Sequence, residues 1–212
     1  MPRRILIADA HPTTRKGVKS ILKTDKNLLV VGKAEDGEEL YKNIESLFPE
    51  LIILELELPK FDGVFSIKQL MEDYPQLKVA VFSHLSEEIY ALSVLKEGVH
   101  AYIHKSVSTK DFKKAVRQVL NGDIWMSSKI YTLQLTQKHT GEEEVDFMNL
   151  SPRETEVLHL LSKGQRNKHI ADTLNINEKT VSTYKKRLLQ KLHVNNLAEL
   201  LQKNRMFNKS RV

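Results

Sequence analysis

The first 122 residues alternate between two apolar patterns, and this alternation restricts the fold more than any other feature of the chain. Short apolar runs of strand length are separated by segments in which apolar residues recur at helical spacing. Strands that alternate with helices indicate a parallel sheet covered on both faces, so the sequence predicts a doubly wound α/β domain. The predicted strands are residues 5–8, 28–31, 51–54, 79–82 and 101–103. The predicted helices are residues 13–22, 38–47, 64–71, 87–96 and 109–120.

Polar side chains stand where these predicted strands end. Asp9 follows the first strand, Glu55 and Glu57 follow the third, Ser83 follows the fourth, and Lys105 follows the fifth. In an open parallel sheet, sites form outside the carboxyl ends of the strands, so we expect these side chains to converge. Carboxylates, a hydroxyl and a lysine are the groups that bind a divalent cation and a phosphoryl group.

The rest of the chain has a different pattern. Residues 123–147 have weak periodicity and include the polar, acidic stretch QKHTGEEEVD, which predicts a linker with a short helix in its first half. From Leu150 onward the spacing is helical, with predicted helices at 152–162, 168–174, 178–192 and 197–204. Ser151 and Glu154 form a capping-box pattern at the first of them. We therefore divide the chain into 1–122, 123–147 and 148–212.

The positive charge is concentrated in this last part. Residues 145–212 carry 13 Lys and Arg against 6 Asp and Glu, whereas residues 1–144 carry 20 against 21. A small basic module joined to a nearly neutral one indicates a polyanionic partner, most often nucleic acid. A solvated basic tail is the alternative that composition alone leaves open.

These motifs together resemble a two-component response regulator of the NarL/FixJ subfamily, over essentially the whole chain. In the first domain the resemblance is carried by ILIADAHP, PELIILELELPKFDG, VAVFSH and GVHAYIHKS. In the second it is carried by SPRETEVL, NKHIADTL and TVSTYKKRLLQKL. The resemblance implies a flavodoxin-like receiver domain followed by a small, all-α LuxR-type helix-turn-helix domain. It also implies a transcription regulator rather than an enzyme.

The same resemblance implies the partners. Double-stranded DNA and a second copy of the chain are expected. A sensor kinase or another protein at the receiver, and RNA polymerase, are further expected partners.

The receiver departs from the family pattern at two positions. Asp9, Ser83 and Lys105 match the family's first acid, hydroxyl and lysine, but Ala10 replaces the second acid and Glu55 replaces the phosphoacceptor aspartate. Losing a carboxylate removes a ligand for Mg²⁺, which demands strict geometry. Glutamate also reaches farther by one methylene, about 1.5 Å. We therefore expect a degenerate receiver that acts without ordinary aspartyl phosphorylation.

The role of the replacing glutamate has three interpretations. Glu55 imitates the phosphorylated state, or it is an inert remnant paired with Lys105, or the site keeps residual phosphate chemistry. No cofactor or metal is expected. Mg²⁺ is the alternative, with Asp9 and Glu57 as its candidate ligands.

The predicted helix 178–192 has an apolar side and an opposite side that is basic and hydroxylic, which suits a major groove. Residues expected at base edges are Ser182, Thr183 and Lys186. Residues expected at phosphates are Asn167, Lys168, Lys179, Thr180, Lys185 and Lys191. The alternative is a solvated face on an ordinary helical bundle. In the last helix, the resemblance implies a dimer contact through Leu197, Leu200 and Leu201, and packing within one chain is the alternative.

Other features narrow the class of protein. The sequence contains no cysteine, so it has no disulfide, thiolate metal site or cysteine nucleophile. The short apolar run at the N-terminus is too brief for a signal peptide, and no run reaches the ~18 residues of a membrane span, so a cytoplasmic protein is expected.

A phosphorelay receiver and a ligand- or protein-sensing regulator are the rival functions. Some members of this subfamily bind a cyclic dinucleotide through a tryptophan motif that ends in arginine. In this sequence Trp125 is not followed by that arginine, which argues against such a ligand.

Overall fold

The computed structural model describes residues 1–136, 147 and 150–209, and its N-terminal part is an α/β domain. Its strands are β1 Arg3–Ala8, β2 Leu28–Ala34, β3 Leu51–Leu54, β4 Lys78–Ser83 and β5 Ala101–His104. Its helices are α1 Pro12–Lys23, α2 Gly37–Leu47, α3 Gly63–Asp73, α4 Glu87–Lys96 and α5 Thr109–Asn121. Strands and helices therefore alternate as predicted, with boundaries that differ by a few residues.

The five strands are parallel and lie in the order β2-β1-β3-β4-β5. This order confirms the doubly wound sheet. The order of the strands reverses between β1 and β3, so the residues after Ala8 and Leu54 meet at a switch point. Strand β2 continues past its predicted end because Gly32 and Lys33, which look unlike strand residues, still pair with β1. Every side chain of β3 is buried, as a doubly covered sheet requires.

The predicted linker begins with a helix, α6 Ser128–Thr136. Ile130 of this helix is 1% exposed and lies in the same apolar cluster as residues of α4. The short helix expected in the first half of this segment is therefore present. The whole acidic stretch, residues 137–146, lies outside the described residues.

The C-terminal part is helical, with α7 Pro152–Ser162, α8 Asn167–Thr173, α9 Glu178–Lys191 and α10 Leu197–Lys209. The predicted capping box begins α7, because the Ser151 side chain accepts from the Glu154 backbone and Glu154 accepts from the Ser151 backbone. Gly164 has a φ of +77°, a left-handed conformation that favours glycine and lets the chain turn after α7. Val181, Leu188 and Leu192 are fully buried in the core, as the apolar face of α9 predicts.

One residue of the expected dimer contact is used inside the chain. Leu200 is 0% exposed in the core of the C-terminal domain, so its assignment to a dimer surface is corrected to core packing. Leu197 and Leu201 are only partly buried against that core, and they remain candidates for the contact. Over the described ranges, no helix has the length and apolar character needed to cross a membrane.

Candidate functional site: a carboxylate pocket and a basic helix face

Four of the predicted strand-end residues meet at the switch point and form what we call the carboxylate pocket: Asp9, Glu55, Ser83 and Lys105. The Lys105 Nζ lies 2.6 Å from Asp9 Oδ2 and 2.5 Å from Glu55 Oε2. The Ser83 hydroxyl donates to Glu55 Oε1 at 2.6 Å. Both carboxylates are about 2% exposed. Burial alone would lower the pKa of Lys105, but its hydrogen bonds to Asp9 and Glu55 raise it above the ordinary value.

The oxygens of this pocket are already occupied by protein donors. Asp9 Oδ1 accepts from the backbone N–H of His11 at 2.7 Å, and Glu55 Oε1 also accepts from that of Leu56 at 2.7 Å. A lysine ammonium stands between the two carboxylates, and Ala10 offers no third carboxylate. Mg²⁺ requires several oxygen ligands in nearly ideal octahedral geometry. The arrangement of these residues does not fit such a site.

Glu57 lies apart from the carboxylate pocket and corrects the sequence-based assignment. Its Oε1 accepts from Lys163 Nζ at 2.6 Å and lies 3.2 Å from His159 Nε2. His159 belongs to α7 of the other domain, and Lys163 is the C-cap residue of that helix. The hydrogen bond to His159, together with that to Lys163, lowers the pKa of Glu57 to about 2 against the effect of burial. Strand β3 ends at Leu54, so strand alternation does not place Glu57 on the same side as Glu55.

A second carboxylate, which belongs to the C-terminal domain, contacts the receiver. Glu156 of α7 is 8% exposed, and its Oε1 accepts from the backbone N–H of Phe65 at 3.4 Å, at the first turn of α3. The same N–H also donates to the Asp62 carbonyl at 3.1 Å, so Glu156 adds a second acceptor at the start of α3, where the Asp62 side chain makes no cap hydrogen bond. Arg153 pairs with Glu156 at 2.9 Å and lies over the Phe65 ring at 4.2 Å.

The sequence-based prediction missed His84, Glu156, His159 and Lys163. A signal existed for the last three, because they recur at helical spacing and so share one polar stripe of α7. His84 directly follows Ser83, and its Nε2 lies 3.2 Å from Glu57 Oε2. The helical spacing of these residues in the sequence predicts a polar stripe on α7. The residues that the stripe contacts in the receiver can be identified only from the docked domains.

The stability of the docked chain should depend on pH through Glu156. Burial raises its pKa to about 7, although Arg153 acts against this. A raised carboxyl pKa gives stability that is fully present below its ordinary value and lost as the pH rises through about 7. A tenfold change in proton affinity is worth about 1.4 kcal/mol. We therefore expect the native protein to lose about 1–3 kcal/mol more than Glu156→Gln between acidic and mildly alkaline pH.

Urea unfolding of both proteins across this pH range measures the difference. The other groups around Glu156, including Asp62, Arg153, Glu57 and His159, are common to both proteins and cancel in the comparison. Parallel stability profiles for the native protein and Glu156→Gln would contradict the assignment.

The outward side of α9 forms what we call the basic face: Lys179, Ser182, Thr183, Lys186 and Arg187. All five residues are exposed. The helix begins at a good cap, because the Asn177 side chain accepts from the Thr180 backbone at 2.8 Å. The side-chain amide of Asn167, at the start of α8, donates to the Ser182 hydroxyl at 3.2 Å. Lys168 beside it is exposed, so the first turn of α8 and the basic face lie close together.

Three of the expected phosphate contacts differ from this pattern. Lys191 Nζ pairs with Glu154 Oε2 at 2.7 Å, so it is held within the domain by the capping box of α7. That bond, together with those from Ser151, lowers the pKa of Glu154 despite its burial. Thr180 and Lys185 are only half-exposed. Lys168 and Lys179 are therefore the better placed of the predicted phosphate contacts.

The chain matches two protein families in sequence. Residues 5–117 match the response regulator receiver domain, and residues 148–203 match the bacterial regulatory proteins of the luxR family. The oxygen regulatory protein NreC of Staphylococcus carnosus is 32% identical over 206 residues, which cover 94% of this chain and 95% of that protein. The nitrate/nitrite response regulator protein NarL of Escherichia coli is 32% identical over 200 residues, which cover 93% of each protein.

Solved structures show the same two-domain architecture. RcsB from Salmonella enterica serovar Typhimurium, bound to the promoter rprA in the presence of phosphomimetic BeF3−, superposes with a TM-score of 0.79 at 28% identity. A structure of two RcsB dimers bound to two parallel DNAs gives a TM-score of 0.74 at 29% identity. Each alignment covers 96% of this chain and 98% of the other, and so includes both domains.

Proposed function

Because the chain belongs to the response regulators that join a receiver domain to a LuxR-type regulatory domain, we propose that it regulates transcription by binding double-stranded DNA without aspartyl phosphorylation. It acts by binding rather than by catalysis, and it works in the cytoplasm as a homodimer. The observation that carries the proposal is the pairing of the pocket lysine with Glu55, combined with an exposed basic face on α9.

The basic face supports the DNA-binding part of this proposal. A helix with a buried apolar side and an outward side of lysines and hydroxyls fits the major groove and can donate to base edges. The preceding helix α8 begins beside it, since Asn167 donates to the Ser182 hydroxyl, and the first turn of a helix is favourable for a phosphate. The relatives RcsB and NarL carry the same pair of domains, and RcsB structures contain DNA.

The carboxylate pocket supports the phosphorylation-independent part. Ser83 and Lys105 both bond to Glu55, the residue at the family's phosphoacceptor position. By analogy with the family, these are the groups that would otherwise bind a phosphoryl group, so Glu55 takes its place. We therefore favour imitation of the active state over an inert remnant.

Selection from a random DNA pool with the purified full-length protein tests DNA recognition. We expect an enriched motif made of two half-sites, because one small module buries too little surface for tight specific binding and the regulator acts as a dimer. Recovery of no enriched motif at low salt with folded protein would count against the proposal.

The salt dependence of binding gives a second, quantitative check. Each phosphate that a lysine neutralises contributes roughly −0.9 to the slope of log affinity against log salt. Lys179→Ala should therefore weaken binding to all sequences alike and flatten the slope by about 0.9. Lys16→Ala, which removes an exposed lysine of α1 in the receiver, is the matched control and should leave the slope unchanged. Equal slopes for native protein and Lys179→Ala would remove Lys179 from the interface.

A further inference from the structure

The two domains are joined through one side of α7. Glu156 and His159 of α7 and its C-cap residue Lys163 recur along this side, and all three reach the receiver. His159 also packs edge-on against Tyr90 of α4, with ring centroids 5.8 Å apart. Leu160 of α7 is 9% exposed, so apolar burial accompanies the polar contacts.

The polar contacts are reciprocal. Glu57 of the receiver accepts from two side chains of α7, and Glu156 of α7 accepts from the first turn of α3. Each domain therefore contributes one carboxylate that accepts from the other: Glu57 accepts from two side chains, and Glu156 accepts from one backbone N–H. We call these two carboxylates and their donors the interdomain clamp. Two contacts at different points restrict the orientation of the domains more than a single contact, which would act as a pivot.

The clamp also lies next to the carboxylate pocket. His84 Nε2 is 3.2 Å from Glu57 Oε2, and its Nδ1 is 3.8 Å from Glu55 Oε2. Glu55 Oε1 accepts from the backbone N–H of Glu57 at 3.3 Å. The pocket residue and the clamp residue are thus two positions apart in the chain and share a histidine.

The clamp leaves the basic face open. The cross-domain contacts just described all come from α7, and Lys179, Ser182, Thr183, Lys186 and Arg187 of α9 are exposed while the domains are docked. Docking that inhibited DNA binding by occlusion would have to cover these side chains.

We propose that Glu57 and Glu156 are positioning residues that hold the C-terminal domain on the receiver with its basic face presented to DNA. This inference rests on the proposed DNA binding. It predicts that docking of the two domains supports DNA binding by the full chain. Breaking the clamp should therefore weaken DNA binding, whereas it would strengthen binding if docking were inhibitory.

Domain orientation can be measured directly, because the sequence contains no cysteine. Cysteines introduced at two exposed positions, Lys42→Cys in the receiver and Gln202→Cys in α10, accept spin labels specifically. We expect one narrow distance distribution for the full-length protein. The double variant Glu57→Ala/Glu156→Ala, which removes both acceptors, should broaden it. The control Glu72→Ala removes an exposed receiver carboxylate outside the clamp and should leave it unchanged.

DNA affinity is then measured on the same full-length proteins with the DNA recovered by selection. We expect Glu57→Ala/Glu156→Ala to lower affinity by about fivefold or more. Glu57→Gln and Lys163→Gln should not add, because both break one contact. A purely structural role would not give this non-additivity in DNA affinity. It also separates the clamp from any direct contact of Lys163 with DNA.

Three results would overturn the inference. Affinity that rises in the clamp variants would show that docking inhibits binding. Unchanged affinity with a broadened distribution would show that orientation does not matter to DNA. An unchanged distribution would show that these carboxylates do not hold the domains. If the native protein selects no DNA at all, the proposed function fails, while the label distances still decide whether the clamp exists.

Discussion

Incubated with Mg²⁺ and acetyl phosphate, the native chain should remain unphosphorylated, whereas the double variant Ala10→Asp/Glu55→Asp should gain a phosphoryl group. In the native pocket the phosphoacceptor position already holds Glu55, which is paired with Lys105 and accepts from Ser83. Shortening this side chain opens space for the group, and the acid at position 10 restores a cation ligand. Phosphoryl transfer depends on such positioning, which can change a rate by a hundredfold or more.

Intact-mass measurement detects the added phosphoryl group. The two single variants show how much each substitution contributes to phosphorylation. Glu55→Asp alone should react slowly because the second acid is still missing, and Ala10→Asp alone should not react. Lys105→Ala added to the double variant is the control, because it removes the ammonium that the transferred group requires. A stoichiometric, acid-stable and base-labile adduct on the native chain would refute phosphorylation independence.

Lys186→Ala should weaken binding to the selected DNA by about 1–3 kcal/mol and relax the preferred base at one position in each half-site. Lys186 is exposed on the basic face, and a lysine at this point of a recognition helix can donate to guanine acceptors in the major groove. A repeated selection with the variant reads the change in preferred sequence, and titration reads the change in affinity.

The comparison with two other lysines makes this test specific. Lys179→Ala should weaken binding to every sequence alike, because a phosphate contact carries no base information. Lys191→Ala should act mainly on folding, since Lys191 is paired with Glu154 at the start of α7. An unchanged sequence preference for Lys186→Ala would remove this residue from base recognition.

The elements and much of the pocket could be predicted from the residues alone. The alternation of strand and helix periods gave the doubly wound sheet, and the carboxyl ends of its strands brought Asp9, Glu55, Ser83 and Lys105 together. These features follow from local geometry, because a strand or helix sets the direction of its own side chains. The capping box and the apolar side of α9 were readable for the same reason.

The way in which the two domains meet could not be predicted from the residues. Glu57 turned out to bind α7, Leu200 to fill the core, and Lys191 to pair with Glu154. Glu57 and Lys163 are 106 residues apart. Periodicity shows which face of a helix is polar, but it does not show what that face contacts, because the partner depends on how separately folded elements pack. From its position in the sequence, Glu57 is predicted to be a cation ligand. In the folded protein it instead links the two domains, because α7 docks beside it.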